Sequence, residues 1–317
     1  MYEEPIFLDP VLKERIWGGS KLNDFGYQIP SSTTGECWGI SAHQNGASTV
    51  KNGPLQGHSL REVWNNHREL FGDEKGEDFP LLVKVLDAAA DLSVQVHPND
   101  EQARQLEQGE AFGKTECWYV LDAEPGAKLI LGHHAESKEE LETKMKNGEW
   151  DELLREVPIQ KGDFYYVPSG TIHAIGKGAL ILETQQSSDT TYRVYDYDRT
   201  DQQGNKRKLH LDKSLQVTEV PHHDAEEERT IIYENTDGKI EKLIESRFFK
   251  VYNVKVENKI VSPVEGSYIL ASVVGGEGTI KTENSTSTLK KGDHFIIPSS
   301  IKKYKLEGNL DLILSTR

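Results

Sequence analysis

Cysteine is scarce. Cys37 and Cys117 are the only two in 317 residues, so a disulfide framework is excluded and a reducing compartment is expected. Basic charge is also in deficit: 37 Lys plus Arg stand against 52 Asp plus Glu, a formal net charge of −15. Such a chain repels phosphodiester backbones and anionic lipid head groups unless it carries a dense basic patch, and none is found. Nucleic-acid and membrane partners are therefore not expected, and an anionic small substrate would need a cationic pocket of its own. Long apolar runs are missing too, none approaching the roughly 20 residues that span a bilayer. The first ten residues, with Glu3, Glu4 and Asp9, lack the basic and apolar regions of a signal peptide. The expectation is a soluble, cytoplasmic protein.

What is present is enough apolar residue, 36% of the chain, to bury one or two cores, and the length suggests about two domains. Segments rich in β-branched and aromatic residues, separated by Gly, Pro or Asn turns, predict strands at 81–86, 92–97, 117–121, 128–131, 164–167 and 179–183. Three segments read as helices: 59–71, with Ser59 and Glu62 at capping-box spacing; 100–108; and 137–157, opening with Ser137 and Glu140. A mainly β sandwich or barrel decorated by helices results.

A repeat organises the chain. Lys161-Gly162-Asp163-Phe164-Tyr165-Tyr166-Val167-Pro168-Ser169-Gly170 aligns with Lys291-Gly292-Asp293-His294-Phe295-Ile296-Ile297-Pro298-Ser299-Ser300, 130 residues on. A duplicated β-unit is the economical explanation. The copies diverge after the Pro turn, where the first has His173 and the second Lys303, so the second unit is expected to be degenerate, metal-free and structural. The predicted layout is a catalytic unit over 1–215, a linker over 216–245 containing the Glu226-Glu227-Glu228 run, and a second unit over 246–317. His222 and His223 read as solvated loop residues, since no third ligand type stands at useful spacing.

Ser93-Val94-Gln95-Val96-His97 alternates, which sets Ser93, Gln95 and His97 on one strand face. Glu116 enters the next strand and His173 follows the Pro168-Ser169-Gly170 turn. Two imidazoles, a carboxylate and an amide oxygen suit a borderline divalent cation such as Zn²⁺, with a position left for water or substrate. A histidine alone in a strand is more often a hydrogen-bonded, half-buried residue. The joint pattern weighs against that reading, because Gly162-x5-Pro168-x-Gly170-x2-His173 resembles the second motif of the cupin superfamily and Gln95-x-His97 with Glu116 resembles a widened first motif.

A narrower resemblance follows. Phe79-Pro80-Leu81-Leu82-Val83-Lys84, Gln95-Val96-His97-Pro98, Gly113-Lys114-Thr115-Glu116-Cys117-Trp118, Pro168-Ser169-Gly170-Thr171-Ile172-His173-Ala174, Glu183 and Ser187-Ser188-Asp189-Thr190-Thr191-Tyr192-Arg193 occur in the order seen in type I mannose-6-phosphate isomerases. Trp17-Gly18-Gly19 and Gly35-Glu36-Cys37-Trp38 fit as well, and the weaker C-terminal unit is similar to the family's short bacterial branch. The resemblance implies two cupin-type jelly-roll barrels and one Zn²⁺ held by Gln95, His97, Glu116 and His173. It implies interconversion of mannose 6-phosphate and fructose 6-phosphate through a cis-enediol(ate), with Arg193 as catalytic arginine and Lys84, Ser93 and Lys114 as substrate contacts.

An aldose–ketose step moves a proton between C1 and C2, so it needs a base and a stabiliser of oxyanion charge. Arg193 stays protonated and suits the second task, which leaves Glu183 as the candidate for proton transfer. Two bland alternatives stand beside these roles: an ion pair between Glu183 and Arg193, and Lys84 as an edge-strand charge. Two other functions share the ligand pattern. An Fe(II) cupin dioxygenase would use two His and a carboxylate, and a non-catalytic carbohydrate-binding cupin would leave Arg193 without a role.

Overall fold

Strand side chains alternate between faces, and that parity organises the whole molecule. In the computed structural model, which describes residues 2–200, 204–226 and 229–317, every residue of the strand Leu81–Asp87 is buried. Leu81, Val83 and Val85 join one apolar cluster and Leu86 another, because the strand is covered on both faces. The same split runs through Glu116–Ala123, where Cys117 and Leu121 face one way and Trp118 and Val120 the other.

These strands belong to a six-stranded antiparallel sheet in the order Phe164–Val167, Glu116–Ala123, Ala179–Gln186, Leu81–Asp87, Thr34–Ile40, Val11–Gly19. A five-stranded sheet runs Tyr192–Tyr195, Val94–Val96, His173–Ile175, Lys128–His133, Leu154–Pro158. Their inner faces meet in a cluster that includes Trp118, Val120 and Ile181 from one sheet and Leu129 and Ile175 from the other. Helices Lys138–Asn147 and Leu211–Val217 cover the outer face of the five-stranded sheet, burying Leu141, Met145 and Val217 against Val94, Val96 and Ile130. The outer face of the six-stranded sheet is covered by the second barrel, so that Val83, Cys117 and Leu182 share a cluster with Leu243, Phe249, Leu270 and Ile313.

The second barrel is a ten-stranded sheet curled around its own interior of Val254, Ala271, Val273, Phe295, Leu312, Leu314 and other apolar side chains. The repeat is visible atom by atom. Gly162 and Gly292 have φ of 90° and 93°, Asp163 and Asp293 each cap their turn by accepting at 2.9 Å from the backbone N–H of Gln160 and Lys290, and both segments then form strands, Phe164–Val167 and His294–Ile297. Lys303 is exposed, whereas His173 is buried.

Three expectations are corrected. The segment 216–245 is not simply a linker: Thr230–Asn235 and Gly238–Glu245 are paired strands of the ten-stranded sheet. Glu227 and Glu228 of its acidic run lie outside the described residues, and its Ile240, Leu243 and Ile244 are buried against partners far along the chain. The first unit does not keep its own N-terminus either, since Ile6–Asp9 pairs with His294–Ile297, and helix Leu211–Val217 crosses the expected boundary at 215. The helix expected over 137–157 stops at Asn147 because Gly148 takes the left-handed conformation, φ 71°. A short turn of helix, Trp150–Leu153, follows, and Leu154–Pro158 then pairs with Lys128–His133. The Ser59 capping box forms as expected, with Glu62 N–H donating to Ser59 Oγ at 3.2 Å and Ser59 N–H to Glu62 Oε2 at 2.8 Å. Among the described residues no helix is long and apolar enough to cross a membrane.

Candidate metal centre and its cavity

Register brings the polar residues together. Gln95 lies opposite His173 on one side and Arg193 on the other in the five-stranded sheet, and His97 follows the end of Val94–Val96. From the six-stranded sheet, Glu116 pairs with Gln185, Lys84 with Glu183, and Glu183 with Trp118. Inward parity points Glu116, Lys84 and Glu183 across the barrel toward the histidines.

His97 Nδ1 lies 2.8 Å from the Thr190 carbonyl and His173 Nδ1 lies 2.8 Å from the Thr171 carbonyl. A carbonyl can only accept, so both rings carry the proton on Nδ1 and leave the Nε2 lone pair facing inward. Those lone pairs are 3.6 Å and 3.4 Å from the two oxygens of Glu116, and the three ligand atoms lie within 4.8 Å of one another. Burial, reinforced by the Lys114 charge, pushes His173 down to about 3 and holds His97 well below the ordinary range, so both are neutral. The Gln95 amide is 3.4 Å from His173 Nε2, close enough to present its oxygen to the same centre after rotation of the amide.

Glu116 Oε1 is fully buried and accepts no hydrogen bond. An orphaned carboxylate oxygen costs about 1–3 kcal/mol or more, and here it faces the Nε2 lone pair of His173. Its other oxygen receives the Lys114 ammonium, which also lies 3.0 Å from His97 Nε2. Burial and the charge of Glu183 push the Glu116 carboxyl up to about 7 against the opposing pull of Lys114. The donor set is short of positive charge, and it fits a divalent cation.

Beside this centre opens a cavity of about 400 Å³ on whose wall Lys84, Ser93, Gln95, Lys114, Glu183 and Arg193 all stand. The structure thus gathers all nine residues singled out above. It alters the partners of several. Glu183 does not pair with Arg193. It binds Lys84 at 3.3 Å and accepts from Trp118 Nε1 at 3.0 Å, and the Lys114 and Lys84 charges outweigh burial to keep its carboxyl below the ordinary range. Lys84, buried in a central strand, is no edge charge. Arg193 donates from Nε to Ser93 Oγ at 3.3 Å and from Nη1 to the Lys208 carbonyl at 2.8 Å.

Arg15, Glu36 and Arg207 line the same cavity and were not marked by spacing. Arg15 grips Glu36 through Nε at 2.7 Å and Nη2 at 3.2 Å, while Trp38 Nε1 donates to Glu36 Oε2 at 2.6 Å. The Arg15-x-Trp17 and Glu36-x-Trp38 alternation was the available signal. Nothing local marks Arg207, which sits in a loop and reaches the site only through the fold.

Two β-barrels, one holding two imidazoles and a carboxylate around a buried centre, define a metal-binding cupin. Residues 6–126 match the catalytic domain of type I phosphomannose isomerase and residues 239–317 the cupin domain of mannose-6-phosphate isomerase. The chain is 52% identical over 316 residues to the mannose-6-phosphate isomerase ManA of Bacillus subtilis, covering 99% of both. It is 49% identical over 313 residues to that of Streptococcus mutans, covering 98% of both. A crystal structure of the mannose 6-phosphate isomerase from Bacillus subtilis superposes with a TM-score of 0.96 at 49% identity, covering 99% of this chain and 100% of the other. The chain belongs to the type I mannose-6-phosphate isomerase family. That membership sets aside the dioxygenase and the non-catalytic cupin and brings with it a requirement for a metal ion.

Proposed function

We propose that this enzyme interconverts mannose 6-phosphate and fructose 6-phosphate on one Zn²⁺ held by Gln95, His97, Glu116 and His173. The observation that supports the metal assignment is the buried Glu116 carboxylate, its Oε1 without a hydrogen bond and facing His173 Nε2 at 3.4 Å while its Oε2 lies 3.6 Å from His97 Nε2. Zn²⁺ bound there would polarise the oxygens on the two reacting carbons. Lys114, whose ammonium shares His97 Nε2 and Glu116 Oε2, would turn toward the cavity and donate to a substrate oxygen.

Glu183 is the group assigned to proton transfer between C1 and C2. It is ionised, one oxygen is fixed by Trp118 and the other faces Lys84, so it can accept a carbon-bound proton and return it with Lys84 steadying the charge. Arg193 supplies a fixed positive charge for the enediolate, oriented by Ser93 and the Lys208 carbonyl. The pairing of Lys84 with Glu183 and of Lys114 with Glu116 argues that both lysines act on the reacting end rather than as free grips for phosphate.

Catalysis is assigned to the first barrel, through residue 217, and a structural, metal-free role to the second, whose interior is apolar. Cytoplasmic placement rests on two buried cysteines, Cys37 and Cys117, neither of them in a disulfide. The test is an assay of fructose 6-phosphate formed from mannose 6-phosphate, before and after chelation, with metal analysis. About one equivalent of zinc per chain and loss of turnover on its removal are expected; full turnover in metal-free protein would refute the reading.

A further inference from the structure

Lys114 precedes and Glu116 opens the strand Glu116–Ala123. The pairing of that strand with Ala179–Gln186 ends at Glu116 opposite Gln185, so the backbone N–H groups of Gly113, Lys114 and Thr115 must find partners elsewhere. Lys114 and Thr115 are buried, and a buried N–H left unpaired is costly. Each of the three has an acceptor from another part of the chain. Gly113 N–H donates to Asp100 Oδ1 at 2.8 Å, Lys114 N–H to the Pro98 carbonyl at 2.9 Å, and Thr115 N–H to Gln186 Oε1 at 2.9 Å.

Gln186 joins these bonds into one clamp. Its side chain, in a residue 3% exposed, donates from Nε2 to the same Asp100 Oδ1 at 2.8 Å, and its backbone N–H donates to the Thr115 carbonyl at 3.0 Å. Both backbone groups of Thr115 therefore end on one residue. The partners also fix the amide orientation of Gln186, because a backbone N–H can only donate and a carboxylate can only accept. Gly113 completes the fit. A Cβ there would lie 2.3 Å from the Asn99 carbonyl carbon and 2.6 Å from Asp100 N, so only glycine lets the two segments touch. The clamp ties together the chain after His97, the segment carrying Lys114 and Glu116, and the strand of Glu183. Neither Asp100 nor Gln186 lines the catalytic cavity; both border a separate cavity of about 250 Å³ between the barrels, beside Arg247 and Phe248.

We propose that Gln186, with Asp100 as its acceptor, is a positioning residue of the isomerase: it sets the backbone of residues 113–115 and so aims Lys114 and Glu116 at the centre they form with His97 and His173. This rests on the isomerase reading above and adds residues that act on the same site from outside it. A shift of this backbone would move a metal ligand and a substrate donor together, and both depend steeply on placement.

The test measures zinc affinity by competition with a chromophoric chelator, the visible spectrum of the Co²⁺-substituted protein, and kcat and KM on mannose 6-phosphate at saturating zinc. Gln186→Leu removes both side-chain bonds. It should weaken zinc binding by on the order of 10- to 100-fold, the scale of losing a partner of a metal ligand, alter the Co²⁺ spectrum, and lower kcat by about tenfold or more while KM stays within about threefold. Asp100→Ala should move the same quantities in the same direction. Asp100→Asn keeps an oxygen that can accept both bonds and should stay within about threefold of wild type in each. Asn253→Leu removes a buried amide bonded to Asp311 in the second barrel and should lower the melting temperature while zinc affinity and kcat hold. Unaltered zinc affinity, Co²⁺ spectrum and kcat in Gln186→Leu would overturn the proposal, as would a fall in its melting temperature alone or equal losses in Asp100→Ala and Asp100→Asn. Should Gln186→Leu not fold, the two Asp100 variants give the same decision. If wild-type protein failed to isomerise mannose 6-phosphate, the functional reading would fail. Amide hydrogen exchange over residues 113–116, slow in wild type and fast in Gln186→Leu, would still decide the clamp, and unchanged exchange would refute it.

Discussion

The two barrels share a frame and differ in what they turn inward. In the first, Val120 N–H donates to the Asp163 carbonyl and Val167 stands opposite Glu116; in the second, Val273 N–H donates to the Asp293 carbonyl and Ile297 stands opposite Ile269. These bonds equate Glu116 with Ile269, Trp118 with Ala271 and Phe164 with His294. The metal-binding carboxylate of one copy is thus an isoleucine in the other, in the same register and with the same inward parity. A cupin barrel tolerates either filling: an apolar interior contributes about 25 cal/mol per Å² buried, while a polar interior loses that stabilisation and recovers it only when its charges are paired or bound. The second barrel's apolar surplus also extends to the face it shares with the first.

The comparison can be broken at its centre. Glu116→Ile, which writes the second copy into the first, should abolish zinc binding and lower turnover by 10³-fold or more, measured by metal analysis and the coupled assay. His97→Ala and His173→Ala should lose metal and turnover together. Retained zinc in Glu116→Ile would remove Glu116 from the ligand set.

Separating the barrels should come next in size. A chain ended after Ser246 exposes Val83, Cys117 and Leu182 and takes the strand His294–Ile297 away from Ile6–Asp9, so little soluble protein is expected, read from the soluble fraction on expression. A soluble, monomeric, zinc-loaded product would show that the shared face is dispensable.

Within the catalytic barrel, Arg193→Ala should lower kcat by on the order of 10², the scale of losing one oxyanion donor, with zinc retained. If only KM moved, Arg193 would be a phosphate ligand and Glu183 would have to carry the reaction with other help.

The smallest effect sharpens the comparison at His294, where the first copy has Phe164. Its ring is buried between Ser272 Oγ and Tyr27 Oη, each 2.8 Å away, and burial pushes it down to about 4. An unfolded histidine titrates near 6.5. The unfolded chain therefore takes up this proton first as pH falls, so the stability involved is complete above pH 6.5 and is lost toward pH 4. His294→Phe should reduce the loss of stability between pH 7 and pH 5 by about 1–2 kcal/mol, measured by denaturant unfolding at both pH values. Equal pH dependence in both proteins would exclude His294.

Much of this protein was determined by local sequence. Turn glycines, alternating strands, capping residues and the Lys-Gly-Asp repeat act over a few residues, and the spacing of Gln95, His97, Glu116 and His173 follows from them. That is why the barrels, two of the three helical regions and the His97, Glu116 and His173 cluster were legible in the sequence. Tertiary structure decided what depends on contacts between distant strands. It drew Ile6–Asp9 and Thr230–Glu245 into the second sheet, because an apolar strand joins whichever edge buries it. It gave Glu183 to Lys84 rather than to Arg193, because cross-strand register and parity set the neighbours of a charge. It carried Arg207 beside Arg193 through Asp196, a meeting of charges that no periodicity in the chain encodes.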